Sequence, residues 1–313
     1  MTTSAGETTA PAGLLLVDKP AGVTSHDVVA RARRIFKTRK VGHAGTLDPM
    51  ATGVLILGIN SGTRLLGHLA LAHKTYHGTI RLGASSSTDD REGELGPIID
   101  SSGVTAAAIE LSLDTFRGEI MQRPSSVSAI KIDGRRAYAR VRGGEVVEIP
   151  ERKVTIFNLE VVRMVPVGEY LDIDVGITVS SGTYIRAIAR DVGESLGVGG
   201  HLTALRRTSL GPFQAESAHE MKRLEDSVDP WTEVHSLAQI SVLCWPIVLL
   251  SREQSLAVRM GQRIAWPVGF SQPLIALIDH EGELAAIAEN RDELCAYRAV
   301  FPSGACPPSS LRP

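Results

Sequence analysis

Alternating apolar and polar positions predict several strands along this chain. A short apolar run over residues 14–17 predicts a buried strand. Residues 75–82 alternate strictly, which predicts a strand with Tyr76 on its apolar face. Two further strands are predicted over residues 154–165 and 170–180, the second with the cleaner alternation. These segments indicate a sheet with at least one buried face.

Apolar residues at helical spacing predict three helices among these strands. The first begins at Ser25 as its N-cap and continues to residue 36. The second covers residues 105–116 and is capped by Thr105. The third begins at Thr183 as its N-cap and ends before Gly197. Helices and strands thus alternate irregularly along the first 200 or so residues.

The last part of the chain has a different pattern, which predicts a separate domain. A polar stretch over residues 227–236 is typical of a boundary. From about residue 245, short apolar runs alternate with glycine and proline, which predicts a small β-rich domain over residues 245–313. The small, polar residues 1–12 predict a disordered tail, which leaves residues 13–240 for the main domain.

Composition excludes several classes of protein. No apolar run approaches the roughly 20 residues that a membrane helix needs, so we expect no membrane partner. The cysteines, Cys244, Cys295 and Cys306, form neither a disulfide framework nor a metal motif, which favours the reducing cytoplasm. Glycine-rich phosphate-binding motifs and metal-type histidine spacings are missing from the sequence, so we expect no nucleotide cofactor and no metal.

Charge is distributed unevenly, although the net charge is only −2. Basic residues without any acid occupy residues 31–40, and acidic residues concentrate near the predicted boundary. Arg31, Arg34 and Lys37 recur every third residue on the polar side of the first predicted helix. They are either an ordinary solvated face or contacts to RNA phosphates, and their position just before the loop described next favours RNA.

The segment of residues 42–53, GHAGTLDPMATG, displays Asp48 in a glycine-bracketed loop before an apolar strand. We expect Gly42, Gly45 and Gly53 to adopt backbone conformations that other residues resist. An aspartate before proline is most often a turn former whose side chain binds nearby backbone. The alternative is a shaped loop that presents an acid for chemistry.

This loop closely resembles the catalytic motif of the TruB family of tRNA pseudouridine synthases. Four further segments resemble motifs of that family in the same order: KPAGVTS from Lys19, KTY from Lys74 with RLG from Arg81, QRPS from Gln122 with SAIK from Ser128, and SGTYIR from Ser181 with GHL from Gly200 and LRRT from Leu205. Order, spacing and content agree together over residues 14–213.

The resemblance implies a fold and an activity. The expected fold is α+β, a mixed and largely antiparallel sheet flanked by helices, followed by a small PUA-like RNA-binding domain. The expected reaction is the conversion of uridine to pseudouridine at position 55, in the T-arm loop of tRNA. The implied enzyme needs no cofactor and no guide RNA.

The resemblance also implies roles for individual residues. Asp48 is the expected nucleophile, Tyr76 the ring that stacks on the target base, and Tyr184 a residue that handles protons. Leu205 and His43 are expected to contact the substrate. From pattern alone, Tyr76 and Leu205 are equally typical of core residues, Tyr184 of helix-start packing, and His43 of a bond within its loop. Lys19, in the first motif, is counted among the substrate-binding residues.

Arg186 follows Tyr184 by two residues, so on a regular helix the two side chains point in different directions. Both serve one site only if that site lies at the opening turn of the helix. Such a position suits a carboxylate partner, because helix N-termini favour anions. We expect Arg186 to lie beside Asp48 and to keep it ionised.

Two other classes of function are compatible with parts of this pattern. A non-catalytic module that binds and folds tRNA would use the same cleft. The presence of all four residues that the resemblance makes catalytic, Asp48, Tyr76, Tyr184 and Arg186, argues against this alternative. A glycosidic hydrolase that uses Asp48 would need a second carboxylate as its acid. The matched motifs offer no obvious candidate for that acid.

Overall fold

The computed structural model describes residues 10–125, 131–132, 135–136 and 149–304. The described strands are β1 (Gly13–Lys19), β2 (Val41–Ala44), β3 (Thr52–Ile59), β4 (Lys74–Leu82), β5 (Gly118–Gln122), β6 (Lys131–Ile132), β7 (Arg135–Arg136), β8 (Arg152–Val167), β9 (Tyr170–Val179), β10 (Gly200–Leu210), β11 (Phe213–Gln214), β12 (His219–Glu220), β13 (Ile247–Leu249), β14 (Ile275–Ile278), β15 (Leu284–Arg291) and β16 (Leu294–Val300). The described α-helices are α1 (Ser25–Ile35), α2 (Leu66–Leu69), α3 (Ala106–Asp114), α4 (Ile185–Ser195), α5 (Met221–Asp226), α6 (Leu237–Cys244) and α7 (Arg252–Arg259).

The chain forms two compact units. The first contains Met1–Asp48, Val54–Ala70 and Gly211–Pro313, and the second contains Pro49–Gly53 and Leu71–Leu210. Strand β3 therefore begins in the second unit and continues into the first. Asp48 is the last residue of the first segment, and it is bonded directly to Pro49 of the second unit.

In the first unit, strands β12, β1 and β3 are neighbours in that order, and β2 pairs with β3. β1 and β12 are parallel, whereas β2 and β3 are antiparallel. Helix α1 is amphipathic and buries Val28, Val29 and Ala32. This burial confirms the helical spacing seen in the sequence.

In the second unit, the strands follow the order β10, β4, β9, β8, β5, and each neighbouring pair is antiparallel. The first two residues of β3 add one parallel pairing with β10, of Thr52 with Arg206 and of Gly53 with Arg207. Helix α4 packs on β10, and α3 contacts α4 and β8. These pairings confirm the predicted α+β class with a mixed, largely antiparallel sheet.

A smaller sheet in the order β13, β14, β15, β16 lies near the C-terminus, within the first unit. Its core includes Leu250, Val258, Ile275, Leu277 and Cys295. The three apolar runs seen in the sequence after residue 270 correspond to β14, β15 and β16, which confirms their strand character. The boundary near residues 240–245 and the PUA-like nature of this part stay predictions.

Three local predictions were wrong. The N-cap of α1 is Thr24, which forms a capping box with Asp27, and not Ser25. The N-cap position of α4 is Tyr184, because the Thr183 hydroxyl instead donates to the carbonyl of Ser180. The tail predicted over residues 1–12 is too long at its end, since Ala12 is completely buried.

Within the described residues, no helix is both long enough and apolar enough to cross a membrane.

Candidate active site

Two glycines with positive φ angles shape the backbone of the loop that carries Asp48. Gly45 and Gly53 have φ angles of +74° and +103°, which other residues rarely adopt, as expected. An added Cβ on Gly53 would lie 2.1 Å from the carbonyl oxygen of Arg207. Gly42 is different from the prediction: it lies in β2 without a positive φ, and its missing side chain makes room for Leu66. Asp48 itself is half-buried.

Ser25 holds this loop next to the start of α1. The buried Ser25 hydroxyl donates to the carbonyl oxygen of Leu47 at 3.1 Å and accepts from the Leu47 N–H at 2.9 Å. Both polar backbone groups of the residue before Asp48 are therefore bound by one side chain. Ser25, which the sequence predicted as a helix cap, instead binds the backbone of the loop that carries Asp48.

His43 and Lys19 lie in the same unit as Asp48. The His43 ring lies edge-on to the ring of His26, with 5.5 Å between ring centroids. Lys19 is fully buried, and its Nζ donates to the carbonyls of Pro20 and Val23. These contacts favour a role for Lys19 in shaping the turn after β1 over the predicted contact with substrate.

The basic face of α1 differs from its prediction in two respects. Arg31 forms a two-pronged ion pair with Glu225, with both N–O distances at 2.7 Å. Lys37 lies beyond the end of α1, with a φ of +49°, so it does not share a helix face with the two arginines. Arg34 is exposed on the helix. The acidic segment thus meets the basic face rather than lying elsewhere.

In the second unit, Tyr76 and Leu205 share one face of the sheet. Tyr76 and Gly78 lie two residues apart on β4, and Leu205 of β10 is directly opposite Gly78. Both side chains are buried, at 7% and 8% exposure. Gly78 carries no side chain on this face, and an added Cβ there would be in van der Waals contact with Leu205, at 3.5 Å. The prediction that both residues contact one nucleotide is compatible with this placement.

Tyr184 is held by two side chains from neighbouring strands. The buried Gln122 amide accepts from the Tyr184 N–H at 2.8 Å and donates to the Tyr184 carbonyl at 3.0 Å. The Arg152 guanidinium lies over the Tyr184 ring, 4.7 Å from its centroid. Tyr184 is the N-cap position of α4, and its own side chain makes no capping bond. Gln122 instead binds the N–H and carbonyl groups of Tyr184.

Arg186 lies in the opening turn of α4, as expected, and is almost completely buried. Its Nη1 is 3.2 Å from Asp90 Oδ2 and donates to the Thr88 carbonyl at 3.0 Å. The observed carboxylate partner is thus Asp90, and the pairing with Asp48 stays a prediction.

Asp89, next to Asp90, has a left-handed backbone with a φ of +60°. Burial raises the pKa of Asp89, and the neighbouring Arg190 guanidinium acts in the opposite direction. Arg190 also donates to the Arg123 carbonyl, so the loop that carries Asp90 is fixed by several charged contacts.

Sequence reasoning missed Gln122, Arg152 and Asp90. Gln122 was part of a matched motif, but the pattern gave it no role. Asp90 lies in a polar segment that predicts only a loop, and Arg152 opens a strand. Nothing local in the sequence indicates that these residues meet Tyr184 and Arg186.

One group of acids among the described residues has metal-ligand spacing, namely Asp279, Glu281 and Glu283. Arg259 pairs with Asp279 and lies 3.7 Å from Glu283, and two backbone N–H groups donate to Asp279. Arg259 and the two backbone N–H groups thus already bind the Asp279 oxygens, so we assign no metal to this turn between β14 and β15.

Family models match most of the chain. The model of the TruB family pseudouridylate synthase N-terminal domain matches residues 33–185, and that of the tRNA pseudouridylate synthase B C-terminal domain matches residues 186–244. A protein named tRNA pseudouridine synthase B from Cutibacterium acnes is 49% identical over 285 residues, which cover 91% of this chain and 95% of that protein. A protein of the same name from Arthrobacter sp. is 52% identical over 270 residues, covering 86% and 87%.

Solved structures show the same fold. A crystal structure of a Cbf5-Nop10-Gar1 complex matches with a TM-score of 0.69 and 27% identity, covering 92% of this chain and 83% of that one. An H/ACA RNP bound to a substrate RNA containing 2'-deoxyuridine matches with a TM-score of 0.69 and 25% identity, covering 95% and 87%. Fold, motifs and matches together define the class of pseudouridine synthases. Within that class, the chain belongs to the TruB family.

Proposed function

We propose that this protein is a tRNA pseudouridine synthase that converts a uridine of tRNA to pseudouridine and uses Asp48 as its nucleophile. The observation that carries this proposal is the close identity, over nearly the whole chain, to proteins named tRNA pseudouridine synthase B. The half-buried Asp48 lies in a loop whose glycines have positive φ angles and whose Leu47 backbone is bound by Ser25, which supports the assignment of the nucleophile.

The reaction rearranges the atoms of one nucleotide. The bond from ribose C1' to uracil N1 breaks, the base rotates, and C1' joins C5. The proton leaves C5 and N1 gains one, so that nothing is oxidised or reduced. A carboxylate assists by forming a covalent adduct while the base turns. Whether that adduct forms on the sugar or on the base is open, as is an elimination route through a glycal.

The second unit supplies the groups that receive the base. A uridine in an RNA loop must leave its stack before a side chain reaches C1'. Tyr76 offers an aromatic face for the extruded base, and Leu205 adds an apolar neighbour on the same face of the sheet. Tyr184 and Arg186, held by Gln122 and Asp90, are the groups that we assign to proton handling and to charge.

We place the substrate uridine in the T-arm loop, at position 55, and we propose that the enzyme acts there without a guide RNA. Single-stranded loops present the unstacked bases that proteins read most readily. His43 and the exposed Arg34 lie in the unit that carries Asp48, where they are available to hold the loop and its phosphates.

We also place the enzyme in the cytoplasm, where a tRNA substrate is found. The Cys244 and Cys295 thiols are free, and burial raises the pKa of each to about 11. Both are therefore protonated and unreactive at neutral pH, in keeping with a reducing compartment.

The substitution Asp48→Asn tests the nucleophile. With unmodified tRNA transcript, we expect the wild-type protein to form pseudouridine at one site and the variant to bind RNA normally. Its single-turnover rate should fall by about 10⁴-fold or more, because a residue of the covalent step is lost. Asp100→Asn, at an exposed aspartate, is the matched control and should be fully active.

Two outcomes would contradict this assignment. Substantial pseudouridine from Asp48→Asn would exclude Asp48 as nucleophile. Release of free uracil by the wild-type protein would indicate a hydrolase instead of a synthase.

A further inference from the structure

Arg152 occupies an unusual position beside Tyr184. It is the first residue of β8 and lies opposite Gln122 of β5. Its guanidinium carbon is 4.7 Å from the centroid of the Tyr184 ring, within the range of a cation–π contact. The ring therefore covers one face of the guanidinium and leaves its N–H groups, which lie in the guanidinium plane, free of the ring.

Two of these N–H groups lack an acceptor. Arg152 Nε and Nη2 are buried, and they have no hydrogen-bond partner within the described residues. A buried donor without an acceptor destabilises the folded protein, so native proteins rarely contain one. A ligand that brings its own acceptors would remove this cost.

Several other arginines of the second unit have carboxylate partners. Their ion pairs are Arg81 with Asp172, Arg117 with Glu110, Arg163 with Asp174, Arg186 with Asp90, and Arg190 with Asp89. For Arg152, the described part of the chain provides no ion pair of this kind. Among the described residues, the contact we find for its positive charge is the face of the Tyr184 ring.

We propose that Arg152 binds a phosphate of the RNA backbone next to the target nucleotide. This inference rests on the proposed function, because Tyr184 is assigned to the site that receives the flipped base. A guanidinium presents paired N–H groups that match a phosphate with two parallel hydrogen bonds. The Tyr184 ring orients this fork, and Gln122 fixes Tyr184 in turn.

Gly182 supports this assignment by its position. It has a φ of +90°, and an added Cβ there would lie 3.7 Å from Arg152 Nη1. The loop before α4 therefore carries no side chain against this edge of the guanidinium. A phosphate bound there would hold the target nucleotide at a set distance from the Tyr184 ring.

Salt dependence of RNA binding tests this inference. We would use the full-length protein with Asp48→Asn as parent, so that the RNA stays unmodified, and a labelled T-arm stem-loop as probe. Arg152→Gln should lower the slope of log Kd against log salt by about 0.7, the value for one lost contact to single-stranded RNA. Arg152→Lys should keep most of the slope, because it keeps the charge.

Lys153→Gln is the matched control. Lys153 is the next residue on β8, is exposed, and pairs with Glu119, so it should leave the slope unchanged. A slope for Arg152→Gln equal to that of the parent would overturn the inference and leave Arg152 as a residue that only packs on Tyr184. If circular dichroism shows that Arg152→Gln is unfolded, Arg152→Met replaces it, since Met keeps the apolar stem.

Neutral methylphosphonate linkages then locate the contact. Replacing one of the two phosphates that flank the target uridine should weaken binding of the parent but not of Arg152→Gln. Equal weakening in both proteins would overturn the inference. Failure of the proposed function is a separate result, in which the wild-type protein forms no pseudouridine whatever the binding slopes are.

Discussion

At the scale of single residues, the side chains that hold the proposed catalytic groups come from distant parts of the sequence. Gln122 reaches the backbone of Tyr184 across 62 positions, and Asp90 reaches Arg186. Each of these contacts fixes a polar group of a proposed catalytic residue by a hydrogen bond or an ion pair. The rigidity of the site therefore depends on residues that no reaction step uses.

Burial also disfavours the charged form of Lys74. It lowers the pKa of the Lys74 ammonium to about 8, and the nearby Arg207 guanidinium adds to the effect. The unfolded chain binds this proton up to a pH near 10.5. Between the two values the unfolded state holds more protons, so stability rises with pH there.

We therefore expect Lys74→Met to remove this rise. Relative to the variant, the wild-type protein should gain stability by at most about 1.4 kcal/mol per pH unit between about pH 8 and 10.5. Urea unfolding of both proteins across this range measures the difference. Parallel profiles would show that Lys74 keeps its ordinary pKa in the folded protein.

At the scale of elements, helix α1 has a partly neutralised basic face, and its Ser25 binds the loop that carries Asp48. Arg31 is paired with Glu225 of α5, while Arg34 is exposed. An exposed ion pair of this kind contributes little to stability, so its charge pattern is the more important feature.

If α1 contacts tRNA phosphates, Glu225 competes with them for Arg31. We expect Glu225→Gln to strengthen RNA binding at low salt and to make the slope of log Kd against log salt steeper, by about 0.7–0.9 for one gained contact. Glu216→Gln removes an exposed acid from the same segment and serves as the control. Equal slopes in the two variants would favour the ordinary solvated face.

Sequence patterns predicted most elements but not their exact junctions. The strands with strict alternation and the amphipathic helices were found because each carries its own periodicity. The caps of α1 and α4 were wrong for a physical reason. Thr24 and Ser25 are adjacent residues whose hydroxyls are equally good N-caps by sequence alone. The backbone of Tyr184 is bound by Gln122, a distant partner that periodicity does not show. Asp48 and Tyr76 were predicted as site residues from motifs, whereas the contacts of Arg152 and Asp90 are visible only in the folded chain.

At the scale of the whole molecule, the C-terminal sheet belongs to the same compact unit as β1 and α1. Helix α6 contacts β14 and β15, and the Arg259 side chain donates to the Phe301 carbonyl. The matched motifs end before this sheet, so we propose that it adds RNA affinity and no reacting group.

Removal of residues 245–313 tests that division. We expect the single-turnover rate at saturating tRNA to be retained and KM to rise, with a lower thermal midpoint because α6 loses its apolar neighbours. Circular dichroism and single-turnover kinetics measure these effects. A folded truncation that performs no chemistry at saturating RNA would show that this sheet helps to build the active site.

The hydroxyl of Ser25 has a consequence for how this enzyme changes over evolutionary time. It joins the first residue of α1 to the backbone of Leu47, one position before Asp48. If α1 contacts RNA and Asp48 is the nucleophile, as we propose, a substitution that shifts α1 to suit a different RNA also moves the Asp48 carboxylate. RNA recognition and reactivity would then change together at this hydrogen-bonded junction, since coupling between two sites acts in both directions. New substrates are then more easily gained through surfaces remote from α1 than through the helix itself.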